Sequence, residues 1–229
     1  MKKVITIAAM MLAVMGLSAC TGSKKEAKVA DESETTKKEI LEQREPSSSL
    51  ERSSRDKIRQ SQTIDMKGKK VLVAYFSWSG NTKEAAHYIA QKVGAEEFEI
   101  IREKAYPKEY NACTEDAKAE KEAGERPAIK GKVENMAQYD VVFVCVPVWW
   151  YTAPMPVYTF LEQYDLKGKT VIPFCTAYSG PSSTLRDIVS ATPKSDHRDG
   201  ICVVTKEQGG KDMDKKHGKI DKWLTEIGF

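Results

Sequence analysis

A short loop of small polar residues is the first place in the sequence where chemistry can be expected. Residues 77–82 read Ser-Trp-Ser-Gly-Asn-Thr and contain no lysine or arginine. A loop of this kind before a helix presents backbone N–H groups and the positive end of the helix dipole to an anion. The pattern therefore indicates a phosphate held by neutral donors. An ordinary helix cap is the alternative, because Ser and Asn cap many helices that bind no ligand.

Two further loops have compositions that complement the first. Residues 147–156 read Pro-Val-Trp-Trp-Tyr-Thr-Ala-Pro-Met-Pro, and residues 176–183 read Thr-Ala-Tyr-Ser-Gly-Pro-Ser-Ser. Three adjacent aromatic side chains remain partly exposed unless a flat molecule covers them, and the 176–183 loop is uncharged and rich in hydroxyls. Together the three loops suit a planar ring that carries a phosphate. Burial against the following helix is the alternative for one of Trp149 and Trp150.

Alternating strands and helices position these loops. Runs that are apolar throughout, at 71–76 and 141–146, predict strands buried on both faces. Further strands are predicted at 97–101, 170–175 and 201–205, and helices are predicted up to Gly94 and at 109–123, 155–163, 182–189 and 211–227. This alternation predicts an α/β fold: a doubly wound, five-stranded parallel sheet of order 2-1-3-4-5 with helices on both faces. In such a sheet, ligands bind outside the carboxyl ends of the strands, where the strand order reverses.

Three segments of the sequence resemble the flavodoxin-like family found in bacterial genomes. They are Val-Leu-Val-Ala-Tyr-Phe-Ser-Trp-Ser-Gly-Asn-Thr (71–82), Pro-Val-Trp-Trp-Tyr-Thr-Ala-Pro-Met-Pro (147–156) and Lys-Thr-Val-Ile-Pro-Phe-Cys-Thr (169–176). The resemblance extends over residues 69–229 and implies a non-covalently bound FMN. It places the phosphate in the loop 77–82, the isoalloxazine near 147–151 and the loop 176–182 at the ring edge.

The residues that the resemblance assigns to FMN lie in these three loops. They are Ser77, Trp78, Ser79, Gly80, Asn81, Thr82, Pro147, Val148, Trp149, Trp150, Tyr151, Thr176, Tyr178, Ser179, Gly180 and Ser182. Trp78 and Trp150 are the candidates for stacking on the two faces of the ring, and Trp149 or Tyr151 could replace Trp150. Flavin chemistry belongs to the cofactor, so no catalytic residue is assigned to the protein.

The resemblance implies a redox protein that moves electrons through FMN, either as a carrier for a redox partner protein or as a reductase. Electron carriers of this family are typically strongly acidic, whereas the chain without residues 1–19 has a formal net charge of +1. This departure favours an FMN-dependent oxidoreductase of the NAD(P)H/quinone type that acts on small oxidants. The alternative is a lipid-anchored binding module that has kept the fold and lost the flavin.

The N-terminus is typical of a bacterial lipoprotein signal peptide. Two lysines precede an apolar run of 16 residues, and Leu-Ser-Ala-Cys at 17–20 resembles the lipobox, whose cysteine is lipidated and becomes the first residue after cleavage. We therefore expect a signal peptide over 1–19 and a lipid on Cys20. The protein would then be anchored to a membrane on the extracytoplasmic side of the bacterial cell envelope. An uncleaved anchor is the alternative, but a membrane span needs about 20 apolar residues.

Composition divides the remaining chain into a tether and one domain. Residues 21–66 carry 10 basic and 10 acidic side chains, and every Trp, Tyr and Phe lies at or after Tyr75. A charged segment without large apolar side chains buries too little surface to fold, so residues 20–66 are predicted to be a disordered, solvated tether. Residues 67–229 are predicted to form the flavodoxin-like domain. A net charge of +1 gives no support to nucleic-acid binding.

Sequence signals of other chemistries are missing. His87, His197 and His217 have no metal-ligand spacing, and no G-x-S-x-G motif of a serine hydrolase is present. The Gly-Lys-Thr at 168–170 lacks the first glycine of a P-loop and precedes a strand instead of a helix. The four cysteines after Cys20 form no C-x-x-C pair, and three of them lie in predicted strands, which favours buried thiols.

The long connection at residues 102–139 has two interpretations. It could lean over the flavin edge, and Tyr106, Tyr110 and Arg126 are then the side chains that would reach the ring. It could instead be only a surface helix and loop whose acidic residues face the solvent. The surface interpretation is the favoured one.

Overall fold

The computed structural model of the protein describes Met66, residues 68–207 and residues 209–229. The predicted signal peptide, Cys20 and the tether up to residue 65 lie outside the described residues, so these assignments stay predictions. Within the described part of the chain, no helix combines the length and the apolar composition that a bilayer crossing requires.

A parallel sheet forms the centre of the fold. In chain order the strands are β1 (Val71–Tyr75), β2 (Glu96–Glu99), β3 (Ile101–Arg102), β4 (Ile129–Lys130), β5 (Val141–Pro147), β6 (Thr170–Ala177), β7 (Asp196–His197) and β8 (Ile201–Val204). The main sheet has the order β2-β1-β5-β6, and both β7 and β8 pair with β6, with every pairing parallel. Strands β3 and β4 form a separate antiparallel pair. The doubly wound order expected from the sequence is confirmed.

Helices cover both faces of this sheet. In the described residues they are α1 (Asn81–Val93), α2 (Tyr110–Ala123), α3 (Met155–Gln163), α4 (Thr184–Ala191) and α5 (His217–Glu226). Ile89 of α1 and Ile220 of α5 belong to the hydrophobic core on one face. Phe160 of α3 and Ile188 of α4 belong to the core on the other face. Because β1, β5 and β6 bury side chains on both faces, their sequences are apolar over most of their length.

The fifth strand of the sheet is divided in two, which differs from the single strand expected at 201–205. β7 pairs with the start of β6, and β8 pairs with its end. Pro173 lies between these two pairings and has no N–H to donate. A Cβ at Gly200 would lie 2.4 Å from the carbonyl oxygen of Pro173, so the chain approaches this proline more closely than any other residue type permits.

Helix α5 begins later than the expected 211–227. The chain just before it is fastened to the start of α1: Gly209 N donates to the carbonyl oxygen of Ser79 (2.9 Å). In addition, Gly210 N donates to Oδ1 of Asn81 (2.7 Å). Within the expected helix, residues 211–213 form turns and Asp214–Lys216 form a 3-10 helix. Met213 N donates to the Gly210 carbonyl oxygen (2.8 Å) and Lys216 N donates to the Met213 carbonyl oxygen (2.7 Å), so the α-helical bonds begin only at His217.

The four cysteines in the described residues are free thiols. Cys113, Cys145 and Cys175 are buried, and Cys202 is half-buried. Cys145 lies opposite Phe174 in the register of β5 and β6, so its side chain points to the other face of the sheet from that of Cys175. Burial raises the pKa of the Cys113 thiol to about 11, and nearby carboxylates add to this shift. The Cys113 thiol is therefore protonated and unreactive at neutral pH.

Candidate functional site

The three loops identified in the sequence surround one cavity. The first loop (77–82) follows β1, the aromatic loop (147–154) continues from β5, and the third loop (176–183) continues from β6. The cavity has a volume of about 760 Å³, which is within the range of small-molecule sites. It lies at the carboxyl edge of the sheet, where the strand order reverses between β1 and β5.

All but three of the residues expected to bind the cofactor line this cavity. Those that line it are Trp78, Ser79, Asn81, Pro147, Val148, Trp149, Trp150, Tyr151, Thr176, Tyr178, Ser179, Gly180 and Ser182. Ser77, Gly80 and Thr82 shape the first loop instead. Ser77 Oγ accepts a hydrogen bond from Gly80 N (3.2 Å), and the buried Thr82 hydroxyl shares one with the Thr176 hydroxyl (2.8 Å). The first loop is thereby joined to the end of β6.

Asn81 lines the cavity, but its side-chain amide is hydrogen-bonded to other residues of the protein. Its Nδ2 donates to the Thr205 hydroxyl (2.7 Å), and its Oδ1 accepts from Gly210 N (2.7 Å). Both partners lie in residues 205–207 and 209–210, which we call the closing loop. Asn81 therefore positions the closing loop, and the donors left for an anion at this end are the Ser79 hydroxyl and the first N–H groups of α1, which have no acceptor inside the helix.

The aromatic loop has an unusual backbone that neighbouring elements hold in place. Trp150 (φ 47°) and Tyr151 (φ 71°) both adopt left-handed conformations, which are rare for bulky residues and concentrate at functional sites. Lys121 Nζ of α2 donates to the Trp150 carbonyl oxygen (2.8 Å). The Tyr151 carbonyl oxygen accepts from both the backbone N (3.1 Å) and the hydroxyl (2.7 Å) of Ser183. These bonds support a turn that leaves the Tyr151 ring exposed at the mouth of the cavity.

The tryptophans around the cavity are fixed by different partners. Trp149 is half-buried, with its ring edge-to-face against Phe76 (5.2 Å) and Tyr106 (5.0 Å). The indole N–H of Trp150 donates to the Thr114 carbonyl oxygen of α2 (2.8 Å). The indole N–H of Trp78 donates to the Pro107 carbonyl oxygen (3.1 Å). Trp149 is thus the more buried of the two adjacent tryptophans. Trp150 contacts α2 and not α3, the helix that follows it in the chain.

Helix α2 contributes a wall of the cavity that the sequence analysis did not favour. Tyr110, Cys113, Thr114 and Ala117 line the cavity from this helix. Of the side chains that the sequence analysis named in this connection, Tyr110 reaches the cavity, Tyr106 lies against Trp149, and Arg126 instead pairs with Glu162 (2.8 Å). The sequence did contain one sign that α2 lines the cavity: small residues at 113, 114 and 117 recur at helical spacing between its charged residues.

A buried polar network holds α2 in this position. Arg102 Nη2 lies 2.6 Å from Glu120 Oε1, and its Nη1 lies 2.7 Å from Asp116 Oδ2. The Tyr106 hydroxyl donates to the Glu120 carboxylate. Burial raises the pKa of both Tyr106 and Glu120. The network joins β3 to α2 through groups that have little access to water.

The closing loop supplies the only charged side chains that line the cavity in the described part of the chain. These are Lys206 and Glu207, and Thr205 lines the cavity beside them. The first, aromatic and third loops contribute no charge. No local pattern in the sequence indicated that the segment after β8 would reach the site.

One cluster of possible metal ligands lies near the start of α5 and does not line the cavity. Glu84, Asp214 and His217 each present one ligand atom, and these atoms lie within 4.8 Å of one another. The His217 ring stacks on Tyr88 (3.6 Å between ring centres). Glu84 of α1 is far in sequence from Asp214 and His217, which explains why sequence spacing did not indicate the cluster.

The sequence profile of the flavodoxin family matches residues 70–222. The search of curated proteins returned no significant match. A protein assigned as a flavoprotein from Bacteroides eggerthii DSM 20697 is 32% identical, with a TM-score of 0.61, over 71% of this chain and 99% of its own.

Two further structures are similar. A protein assigned as a flavoprotein from Bacteroides uniformis ATCC 8492 is 30% identical, with a TM-score of 0.59, over 69% of this chain and 99% of its own. A flavoprotein from Lactobacillus acidophilus NCFM, crystallised in complex with FMN, is 22% identical, with a TM-score of 0.53, over 65% of this chain and 98% of its own, which is a likeness of fold. From the profile match and the two Bacteroides structures it follows that the chain belongs to the flavodoxin family.

Proposed function

We propose that the domain binds FMN in this cavity and moves electrons through it. The observation that carries the proposal is the meeting of an uncharged loop at the start of α1 with several indole rings around one cavity. Hydroxyl and backbone N–H donors at a helix N-terminus suit a phosphate. Indole rings suit a flat ring system, because large aromatic surfaces offer both contact area and stacking.

Each part of FMN has matching residues in the site. Ser79 and the backbone N–H groups at the start of α1 would hold the phosphate. Trp78 and Trp150 are proposed to flank the ring, with Trp149 or Tyr151 as the alternative to Trp150. The third loop, with its hydroxyls and backbone groups, would line the ring edge. This assignment leaves no acidic or basic side chain of the three loops near the ring.

The protein's part in this chemistry is to bind, orient and tune the cofactor. Bound FMN supplies the electron-accepting ring. The first, aromatic and third loops contribute no charge. Their side chains would displace water from the bound ring and disfavour additional negative charge on it. We therefore expect the protein to lower the reduction potential of bound FMN relative to FMN in water.

The mouth of the cavity favours a small planar oxidant as the substrate. The rings of Tyr110, Tyr151 and Tyr178 line it and are 61%, 70% and 72% exposed. The chain also lacks the acidic excess typical of flavodoxins that dock on basic protein partners. We therefore propose a reductase that passes electrons from NAD(P)H to quinones or similar acceptors. Electron transfer to a redox partner protein is the competing role that the assay below separates from it.

Flavin uptake is the first test. We expect the chain from Cys20 onward, carrying Cys20→Ser, to be yellow or to become yellow with added FMN. Quenching of FMN fluorescence should give a dissociation constant of about 1 μM or lower. A colourless protein that does not take up FMN would contradict the proposal and leave the flavin-free binding module. In a yellow protein, steady NAD(P)H oxidation with a quinone supports a reductase. Ready chemical reduction without turnover supports a carrier.

The lipid anchor is a separate proposal. We propose that Cys20 is lipidated and holds the domain at a membrane on the extracytoplasmic side of the cell envelope. The support is the lipobox-like Leu-Ser-Ala-Cys after an apolar run. In cells, the wild-type chain is expected in the membrane fraction with incorporated radiolabelled fatty acid. Cys20→Ser is expected to lose the label, whereas Cys113→Ser should keep it. Equal labelling of wild type and Cys20→Ser would refute lipidation at this residue.

A further inference from the structure

The closing loop is bonded to the first loop at both of its ends. At one end, the Thr205 hydroxyl accepts from Nδ2 of Asn81 (2.7 Å). At the other end, Gly209 N donates to the Ser79 carbonyl oxygen (2.9 Å) and Gly210 N donates to Asn81 Oδ1 (2.7 Å). The closing loop is therefore part of the same structure that forms the N-terminal end of α1.

Close backbone packing fixes the position of the closing loop further. A Cβ on Gly80 would lie 3.3 Å from the Cα of Gly209, and a Cβ on Gly210 would lie 2.9 Å from the Cβ of Glu84. The backbone N of Lys206 donates to the buried Asp212 carboxylate (3.2 Å). Because these contacts hold the loop on both sides of Lys206, that side chain starts from a defined place at the rim of the cavity.

The charges of the closing loop contrast with the rest of the cavity lining. Lys206 is the single cationic residue that lines the cavity in the described part of the chain, and Glu207 is the single anionic one. The Lys206 ammonium lies 6.0 Å from the centre of the Tyr178 ring. Among the described residues it forms no ion pair, so its charge is available to a ligand.

We infer that Lys206 makes the site selective for a flavin that carries a phosphate monoester, which is FMN in preference to riboflavin. The inference rests on the proposed function, because it assumes that the flavin occupies this cavity. A phosphate monoester carries between one and two negative charges at neutral pH. Neutral donors satisfy its oxygen atoms but leave its net charge uncompensated. The closing loop is bonded to that helix end, so the Lys206 ammonium that it carries would supply the compensation and would contribute much less to a ligand without phosphate.

Glu207 carries the opposite charge to Lys206, so its removal should have the opposite effect on FMN affinity. Glu207 lines the same cavity, so its negative charge would repel the phosphate that Lys206 attracts. Neutralising either side chain changes the charge at the rim by one unit while the hydrogen bonds of the closing loop, which use other atoms, are retained. Affinity for FMN should therefore move in opposite directions in the two variants, whereas affinity for riboflavin should not change.

The test compares FMN with riboflavin on the chain from Cys20 onward carrying Cys20→Ser. Affinities are measured by quenching of flavin fluorescence for the wild type, Lys206→Gln, Glu207→Gln and the control Lys211→Gln, an exposed residue that does not line the cavity. We expect Lys206→Gln to weaken FMN binding about tenfold and Glu207→Gln to strengthen it about threefold. All variants should bind riboflavin within about twofold of wild type, and Lys211→Gln should match wild type for both flavins. Higher salt should narrow the FMN difference between wild type and Lys206→Gln.

Two results would overturn the inference. In the first, Lys206→Gln weakens FMN and riboflavin by the same factor, which would mean that the lysine supports the loop and does not recognise phosphate. In the second, Lys206→Gln leaves FMN binding unchanged. Both leave the proposed function intact, since the wild type still binds flavin. A wild-type protein that binds neither flavin would instead refute the proposed function itself.

Discussion

Gly80→Ala is expected to weaken FMN binding about thirtyfold and to lower the free energy of unfolding by about 2–3 kcal/mol. Gly80 has a φ of +93°, which residues with a side chain rarely adopt. An added Cβ would also lie 3.3 Å from the Cα of Gly209. That atom belongs to a backbone segment bonded to Ser79, so it has little freedom to move away. Relief of the contact would separate the closing loop from the first loop at the end of the cavity that we propose holds the phosphate.

The matched control lies at the other end of the same helix. Gly94 has a φ of +65°, and a Cβ there would meet nothing within 4 Å. Gly94→Ala is therefore expected to cost about 1 kcal/mol of stability and to leave FMN affinity unchanged. Fluorescence titration and urea unfolding measure both quantities. If Gly80→Ala bound FMN as tightly as wild type, the junction of the two loops could not be part of the site.

The central strands and the loops after them could be predicted from the sequence because each depends on local composition. β1 and β5 are covered by helices on both faces, so their sequences are continuous apolar runs with no polar alternation. Once these runs are read as parallel strands, the topology brings their carboxyl ends to one edge. This is why the first, aromatic and third loops were expected around one site, where the structure places them.

The details that were missed depend on contacts between distant parts of the chain. The division of the fifth strand follows from Pro173 of β6, which meets Gly200 across the sheet. β2 ends at Glu99, earlier than expected, because its partner β1 ends at Tyr75 and the chain after Ile100 pairs with β4 instead. No window of neighbouring residues contains either partner.

Contacts between distant parts of the chain also explain which residues of the site could not be predicted from the sequence. The hydrogen bond that brings the closing loop to the cavity joins Asn81 to Thr205, 124 positions apart. Helix α2 was expected to be a surface helix because most of its side chains are charged or small. Its small residues Cys113, Thr114 and Ala117 line the cavity, and its buried Glu120 pairs with Arg102. Charge in a sequence is normally a sign of exposure, so a buried charged pair is hard to recognise before its partner is known.

Glu120→Ala is expected to lower the free energy of unfolding by about 3 kcal/mol. The Glu120 side chain is 3% exposed, and that of its partner Arg102 is 9% exposed. Alanine would leave Asp116 as the one carboxylate paired with the guanidinium and would leave the Tyr106 hydroxyl without its acceptor. Urea unfolding followed by tryptophan fluorescence measures the loss. Unchanged stability would show that water reaches this network freely.

The pH dependence of stability gives an independent check on Glu120. Burial raises the pKa of this carboxyl above its ordinary value of 4.5, although Arg102 and Tyr106 act in the opposite direction. The folded chain therefore holds this proton more tightly than the unfolded chain does. The contribution of Glu120 to stability is largest below the ordinary pKa and falls as the pH rises through the raised one. Glu120→Gln, which keeps the shape of the side chain, is expected to remove this fall.

A triple variant separates the effect of the charges from that of packing. Because ionising Glu120 inside the fold is unfavourable, the ion pair satisfies its own members without adding net stability. The combined change Arg102→Met, Tyr106→Phe and Glu120→Leu fills the same space with apolar groups and leaves no polar atom of the three unpaired. We expect its free energy of unfolding to return to within about 1 kcal/mol of wild type. A triple variant as unstable as Glu120→Ala would contradict this expectation, because the attraction between the charges would then be what holds α2 against β3.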